Sequence, residues 1–204
     1  MVRTPVFVRG TAIALALCFA TSQPLAAKSA ATSAPIEQRV DNLAPGHWVW
    51  QPERAPDGEV EVVVSIPLQK AYVYRGGTLI GASTVSTGKP GHDTPPGRFN
   101  ILQKREKHFS NLYDNAPMPF MQRLTWDGIA LHAGAIPGEP ASHGCIRLPK
   151  TFAAKLFAAT ELGATVLVVD DAPSPEAAYA MLSGQALPVA MGGPDEDVAA
   201  AGAP

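Results

Sequence analysis

Cysteine is nearly absent from this sequence: its 204 residues hold two, Cys18 and Cys145. So few thiols exclude a disulfide framework and the paired-cysteine spacings of structural zinc sites. Basic residues are missing after Lys155, while seven acidic ones follow it. That end weighs against nucleic acid as the partner. Long apolar runs are missing as well. The unbroken run at 12–20 is far short of the ~20 residues that cross a bilayer. What the chain does have is 20 prolines and 18 glycines, which favour short strands joined by turns over long helices.

Arg3 and Arg9 precede that apolar run, and the small residues Ala26 and Ala27 follow it. The order is that of a secretory signal, so residues 1–27 are expected to be cleaved near Ala27, with Ala20 as a second site and an uncleaved anchor as the alternative. Export is therefore expected, with no membrane span in the mature form. Cleavage would leave Cys145 as the sole thiol, and an unpaired cysteine in an oxidising compartment needs a reason such as nucleophilic catalysis.

Residues 28–58 read as a linker and N-terminal extension. The first eight are Ala, Ser, Thr, Lys and Pro, too polar to offset the entropy of ordering. Trp48 and Trp50 are expected to pack at a domain edge. A β-rich domain is expected over 59–171, with a hairpin turning at Gly76-Gly77, a strand over 98–104 and a short strand over 129–132 that ends at His132. Residues 149–159 predict one core helix, with Phe152 and Leu156 on one face and Gly163 to stop it. A strand of β-branched residues follows at 165–169. The Ala, Pro and Gly-rich acidic stretch 172–204 reads as a peripheral tail, with one short helix over 175–182 capped by Ser174.

The chemistry concentrates in residues 131–148, LHAGAIPGEPASHGCIRL. If 142–147 is extended, His143, Cys145 and Arg147 share one side and Ile146 faces the core. Cationic neighbours would favour thiolate over thiol. Gly144 lets backbone approach a carbonyl, so the amides of Gly144 and Cys145 would form an oxyanion hole. Spacing does not decide whether His132 or His143 is the base. A zinc site of His132, His143 and Cys145 is a second reading, without the helical motif usual in catalytic zinc sites. Between 62 and 155, eleven Lys and Arg face five Asp and Glu, a basic excess suited to an anionic ligand.

At these residues the sequence resembles the YkuD-type L,D-transpeptidase family, whose signature is a histidine, a variable loop, Ser/Thr-His-Gly-Cys, an apolar residue and Asn or Arg. Here those are His132, then Ser142, His143, Gly144, Cys145, Ile146 and Arg147. The resemblance extends to Ser86-Thr87-Gly88 and to 94–99 (TPPGRF), although the loop between His132 and Ser142 is shorter than in many members. It implies a mainly β fold, a mixed β-sandwich with one core helix after the cysteine loop, placed in the periplasm or cell envelope, with no metal or cofactor. It implies that Cys145 is the nucleophile, with His132 as its base, oriented by the Ala133 carbonyl. Ser142, His143 and Gly144 would orient the loop or line the oxyanion region, and Arg147 would meet a donor carboxylate.

The implied partners are peptidoglycan tetrapeptide stems as donor, an amine acceptor, and carbapenems as inhibitors. Cross-linking, D-amino acid exchange and lipoprotein attachment remain open as outcomes. Asn111, Tyr113, Met118 and Phe120 are expected substrate contacts on the segment overhanging the groove. The rivals are a cysteine peptidase (an L,D-carboxypeptidase) hydrolysing the same bond and a non-catalytic peptidoglycan-binding protein.

Overall fold

Val62, Val63 and Val64 are all fully buried, so this strand has no solvent face. A strand buried on both sides must lie between two layers, and the computed structural model, which describes residues 35–110 and 115–185, supplies them. Residues 1–34, with Cys18 and the expected signal, 111–114, with Asn111 and Tyr113, and 186–204 lie outside the described residues.

In chain order the elements are α1 (Ile36–Asp41), β1 (Trp48–Trp50), a 3-10 turn (Pro52–Arg54), β2 (Val60–Ser65), β3 (Lys70–Arg75), β4 (Thr78–Thr84), β5 (Gly97–Asn100), β6 (Gln103–Arg105), β7 (Met121–Arg123), β8 (Ala130–Ala133), β9 (Ile146–Leu148), α2 (Lys150–Ala159), β10 (Thr165–Val169) and α3 (Pro175–Ser183). They form a six-stranded sheet, β1-β4-β3-β2-β10-β5, and a four-stranded sheet, β6-β7-β8-β9. Both sheets are mixed: β10 runs parallel to β2, and β9 parallel to β8.

One core joins the two sheets through Val62, Val64, Val73, Val166 and Val168 on one side and Leu131, Ile146 and Leu148 on the other, with Phe152 and Leu156 of α2 among them. Trp48 and Trp50 cover Phe152, their rings 6.1 and 5.5 Å from its ring. A fully buried side chain of this size contributes about 2–3 kcal/mol. The opposite face of the larger sheet presents Val63, Tyr72, Tyr74, Leu79 and Ala82 to Ile36 and Val40 of α1 and to Ala178 and Leu182 of α3. Burial pushes the Tyr72 phenol up to about 12, so it remains a neutral donor, and it bonds the Pro173 carbonyl at 3.1 Å.

Three features differ from the sequence reading. The run 98–104 is not one strand: β5 pairs with β10 in the larger sheet and β6 with β7 in the smaller, and buried Ile101 is where the chain crosses between them. The extension before residue 59 contributes α1 and the edge strand β1, which pairs with β4. The helix α3, capped by Ser174 Oγ accepting from the Ala177 amide, is part of the packed domain and not a peripheral tail.

Candidate active site

The parallel pairing of β8 with β9 sets Leu131 opposite Ile146 and His132 opposite Arg147. Alternation sends Leu131 and Ile146 into the core. His132 and Arg147 therefore share the other face with Ala130, and Cys145, in the bend just before β9, opens onto the same side. That face lines a groove of about 580 Å³, walled further by His108, Met118, Met121, Arg123, Gly128 and Lys150. Among the described residues no Asp or Glu lines it.

His132 is 8% exposed, and its Nδ1 lies 2.8 Å from the Ala133 carbonyl oxygen. A carbonyl only accepts, so Nδ1 carries the hydrogen and Nε2 presents a lone pair. Burial holds the imidazole below its ordinary range; the Ala133 bond opposes this, and the charges of Arg147 and His108 add to it. At neutral pH His132 is an uncharged base in a single tautomer.

Cys145 is half-buried against an apolar floor of Met118, Met121 and Ala130. Its Sγ–H donates to the Gly128 carbonyl at 3.2 Å. Burial pushes the thiol up, while the Ala130 backbone bond and the charges of Arg147 and Arg123 pull it back without reversing the shift. This corrects the expectation of a thiolate stabilised by flanking cations. His143 is exposed and held below its ordinary range, so it brings no charge at neutral pH. Its ring stands edge-on to His92 at 4.7 Å.

The turn before Cys145 is tied in place by side chains. Ser142 Oγ donates to the Cys145 carbonyl at 2.5 Å and accepts from the Gly144 amide at 3.1 Å. The Gly144 N–H, which the sequence suggested as an oxyanion donor, is thus engaged by the Ser142 hydroxyl in this structure. Thr94 Oγ donates to the Gly144 carbonyl at 2.7 Å and accepts from the Gly88 amide at 2.8 Å. Gly144 adopts φ +106°, a conformation that disfavours a Cβ. Behind it, Ser86 exchanges backbone bonds with Arg147 at 3.1 and 2.9 Å, and the Thr87 carbonyl accepts from Ala141 and Ser142. Gln69 fixes Thr87 by donating to its hydroxyl at 2.7 Å and accepting from its amide at 3.0 Å.

The structure therefore brings Cys145, His132, Ala133, Ser142, His143, Arg147 and Met118 to one groove. Phe120 is not in that lining. It turns into the domain with φ +56°, packing on Phe157 with ring centres 5.9 Å apart, which corrects its reading as a substrate contact. The Arg147 guanidinium makes no hydrogen bond or ion pair among the described residues and is available to an anion. Sequence reasoning passed over Thr94 and Gln69 as braces and His108, Arg123 and Lys150 as lining. Thr94 stood within the TPPG stretch, but nothing marked its hydroxyl as the tie. Among the described residues no group of three or more His, Cys, Asp and Glu is arranged to hold a metal ion.

Among solved structures, an L,D-transpeptidase from Mycobacterium smegmatis is 26% identical, with a TM-score of 0.51, over 54% of this chain and 58% of that one. One from Stackebrandtia nassauensis is 30% identical, with a TM-score of 0.52, over 57% and 58%. The LD transpeptidase LdtMt1, in complex with imipenem, is 28% identical, with a TM-score of 0.50, over 54% and 58%. The match thus spans less than two thirds of each of these relatives. No curated protein matches the chain significantly. The L,D-transpeptidase catalytic domain model, YkuD, matches residues 59–169. That is more than half of the 204 residues, and the chain belongs to the YkuD family of L,D-transpeptidase catalytic domains.

Proposed function

We propose that this chain is an exported L,D-transpeptidase that handles peptidoglycan stem peptides through a thioester on Cys145. The carrying observation is the shared face of β8 and β9, where a thiol, a neutral single-tautomer imidazole and an uncommitted guanidinium line one groove. A binding module has no need of an unpaired thiol in such company.

In this reading the donor is a tetrapeptide whose carboxylates meet Arg147, with Arg123 and Lys150 supplying further positive charge. Because the resting thiol is protonated, attack requires its hydrogen to leave the Gly128 carbonyl for His132 Nε2 as sulfur closes on the carbonyl of the L-centre of diaminopimelate. The tetrahedral oxyanion is met by donors other than Gly144 N–H; the Cys145 amide and Arg147 are those at hand. Collapse breaks the peptide bond, His132 returns the proton to the departing amine, and D-alanine leaves. An acceptor amine then attacks the thioester, forming the new amide and restoring the thiol.

Residues 1–27 are the export signal in this reading and the cell envelope is the place of action. Among the described residues no helix is long and apolar enough to cross a membrane. Carbapenems, as acylating mimics of the donor, would form a covalent adduct at Cys145, in line with the imipenem complex of LdtMt1.

The test is intact-mass analysis after incubation with a tetrapeptide muropeptide, with and without a D-amino acid. Loss of D-alanine with gain of the added amino acid, abolished in Cys145→Ser, supports transfer. Loss without gain indicates the hydrolytic rival, and no change in mass leaves only binding. Activity that EDTA abolishes and iodoacetamide spares would replace the thiol mechanism with a metal one.

A further inference from the structure

The groove holds a second inward-facing imidazole that the acylation chemistry does not use. His108 is half-buried and lines the groove with His132 and Cys145. Its backbone is fixed: the Met118 amide donates to the His108 carbonyl at 2.8 Å, and the Ser110 amide to the Ala116 carbonyl at 2.9 Å. Met118 packs with Met121 and Ala130 around the Cys145 side chain, so the segment that carries His108, bonded to Met118, is tied to the apolar floor beneath the thiol. Among the described residues its imidazole makes no hydrogen bond.

We infer that His108 is a further catalytic residue, the base that strips the first proton from the acceptor ammonium. This rests on the thioester reading proposed above. An acceptor amine arrives largely protonated, since α-amino groups titrate near ~8 and alkylamines near ~10, and an ammonium has no lone pair with which to attack. Two protons must therefore leave the nitrogen. His132 can take only one, which it must return to sulfur when the carbon–sulfur bond breaks.

His108 takes the other proton and passes it to solvent. The free amine adds to the thioester carbonyl, the sulfur departs with the bonding pair, and the second proton travels through His132 to Sγ. Ammonium plus thioester thus gives amide, thiol and one released proton. The charges facing His108 favour its neutral, proton-accepting form. Arg105 on β6, Arg123 on β7, Arg147 on β9 and Lys150 at the start of α2 are all positive, the facing His132 is neutral, and among the described residues the groove lining holds no acid, Glu106 standing beside His108 in sequence. Burial first, then Arg123 and Arg105, hold its imidazole below the ordinary range, which keeps it unprotonated at neutral pH. The same cations disfavour an ammonium in the groove and favour its deprotonation.

The test compares His108→Gln with wild type in the full chain. The rate of donor-adduct formation on Cys145 is followed by intact mass. The partition of that adduct between water and an added D-amino acid is followed from about pH 6 to about pH 10. The transfer-to-hydrolysis ratio of the variant is expected to fall at least about tenfold near neutrality and to recover at alkaline pH, where the amine is already free. His108→Gly is expected to show the same loss and to regain transfer when imidazole is added to the buffer. A ratio that keeps the wild-type pH profile overturns the inference. So does a loss of transfer that only tracks a loss of adduct formation, the mark of a structural role. Absence of any wild-type adduct refutes the thioester reading itself, and that result is read before the ratio.

Discussion

The thiol of Cys145 gives its hydrogen to the carbonyl of Gly128, at 3.2 Å. This bond belongs to the neutral thiol: a thiolate placed there would face a carbonyl dipole with nothing to donate. Together with burial it keeps the nucleophile protonated until substrate is bound.

Alkylation of Cys145 by iodoacetamide is therefore expected to rise with pH and to reach half its plateau above the ~8.5 of an ordinary cysteine. Arg147→Gln, by removing a charge that pulls the thiol down, is expected to move that midpoint higher still. A plateau already reached at neutral pH would establish a preformed thiolate–imidazolium pair and contradict this resting state.

For His132 the shift has the opposite consequence. Its folded imidazole binds a proton less readily than it does in the unfolded chain, so rates that depend on the neutral base persist down through ~6.5 and fail only at lower pH. His132→Gln is expected to slow adduct formation by ~10²–10⁴ at neutral pH. Stability follows the same linkage. The depressed folded value contributes stability above ~6.5 that is lost as pH falls, because the unfolded chain takes up the proton first. Thermal melts at about pH 7 and about pH 5 should show a larger loss in wild type than in His132→Gln; equal losses would mean that His132 is not held neutral by the fold.

The helix over Lys150–Ala159 and the strand over Thr165–Val169 were legible because each carries its periodicity within one window. The same reading merged β5 and β6, since side-chain alternation runs on through Ile101 while the backbone changes partners between sheets. Cys145 and His132 stood out by residue type, and Ala133 by family resemblance. The electrostatics at the sulfur did not, because the floor of Met118, Met121 and Ala130 lies 15–27 residues upstream of Cys145 and takes shape only when β7 and β8 assemble. Phe120 shows the limit for aromatics in irregular segments: nothing local says which way the ring turns, and here a positive φ sends it inward.

Thr94 is a brace with partners 6 and 50 residues away. Thr94→Val keeps the shape but deprives the Gly88 amide and the Gly144 carbonyl of their shared partner, at a position 3% exposed. A loss of roughly 2 kcal/mol is expected in urea denaturation, in the range for buried groups left unsatisfied. Adduct formation on Cys145 should slow as well, because the turn that aims the sulfur is released. Thr94→Ser, which retains the hydroxyl, should hold both quantities near wild type. If Val and Ser behave alike, the hydroxyl does not carry the brace.

Gly144 separates backbone strain from crowding in one pair of variants. A Cβ at this position would lie 2.9 Å from the Ile129 Cδ1 atom, and the φ of +106° is itself unfavourable to any side chain. Gly144→Ala is expected to destabilise by about 1–3 kcal/mol from the backbone conformation alone, with the contact to Ile129 adding to it. Ile129→Val removes the offending methyl, so the double variant should recover the crowding part and leave the strain. The rate of adduct formation should stay depressed in both, since relaxing φ rotates the carbonyl held by Thr94 and the amide held by Ser142 Oγ, and with them the Cys145 backbone. Full recovery of stability and adduct rate in the double variant would show that crowding is the whole effect and that the left-handed turn does not position the nucleophile.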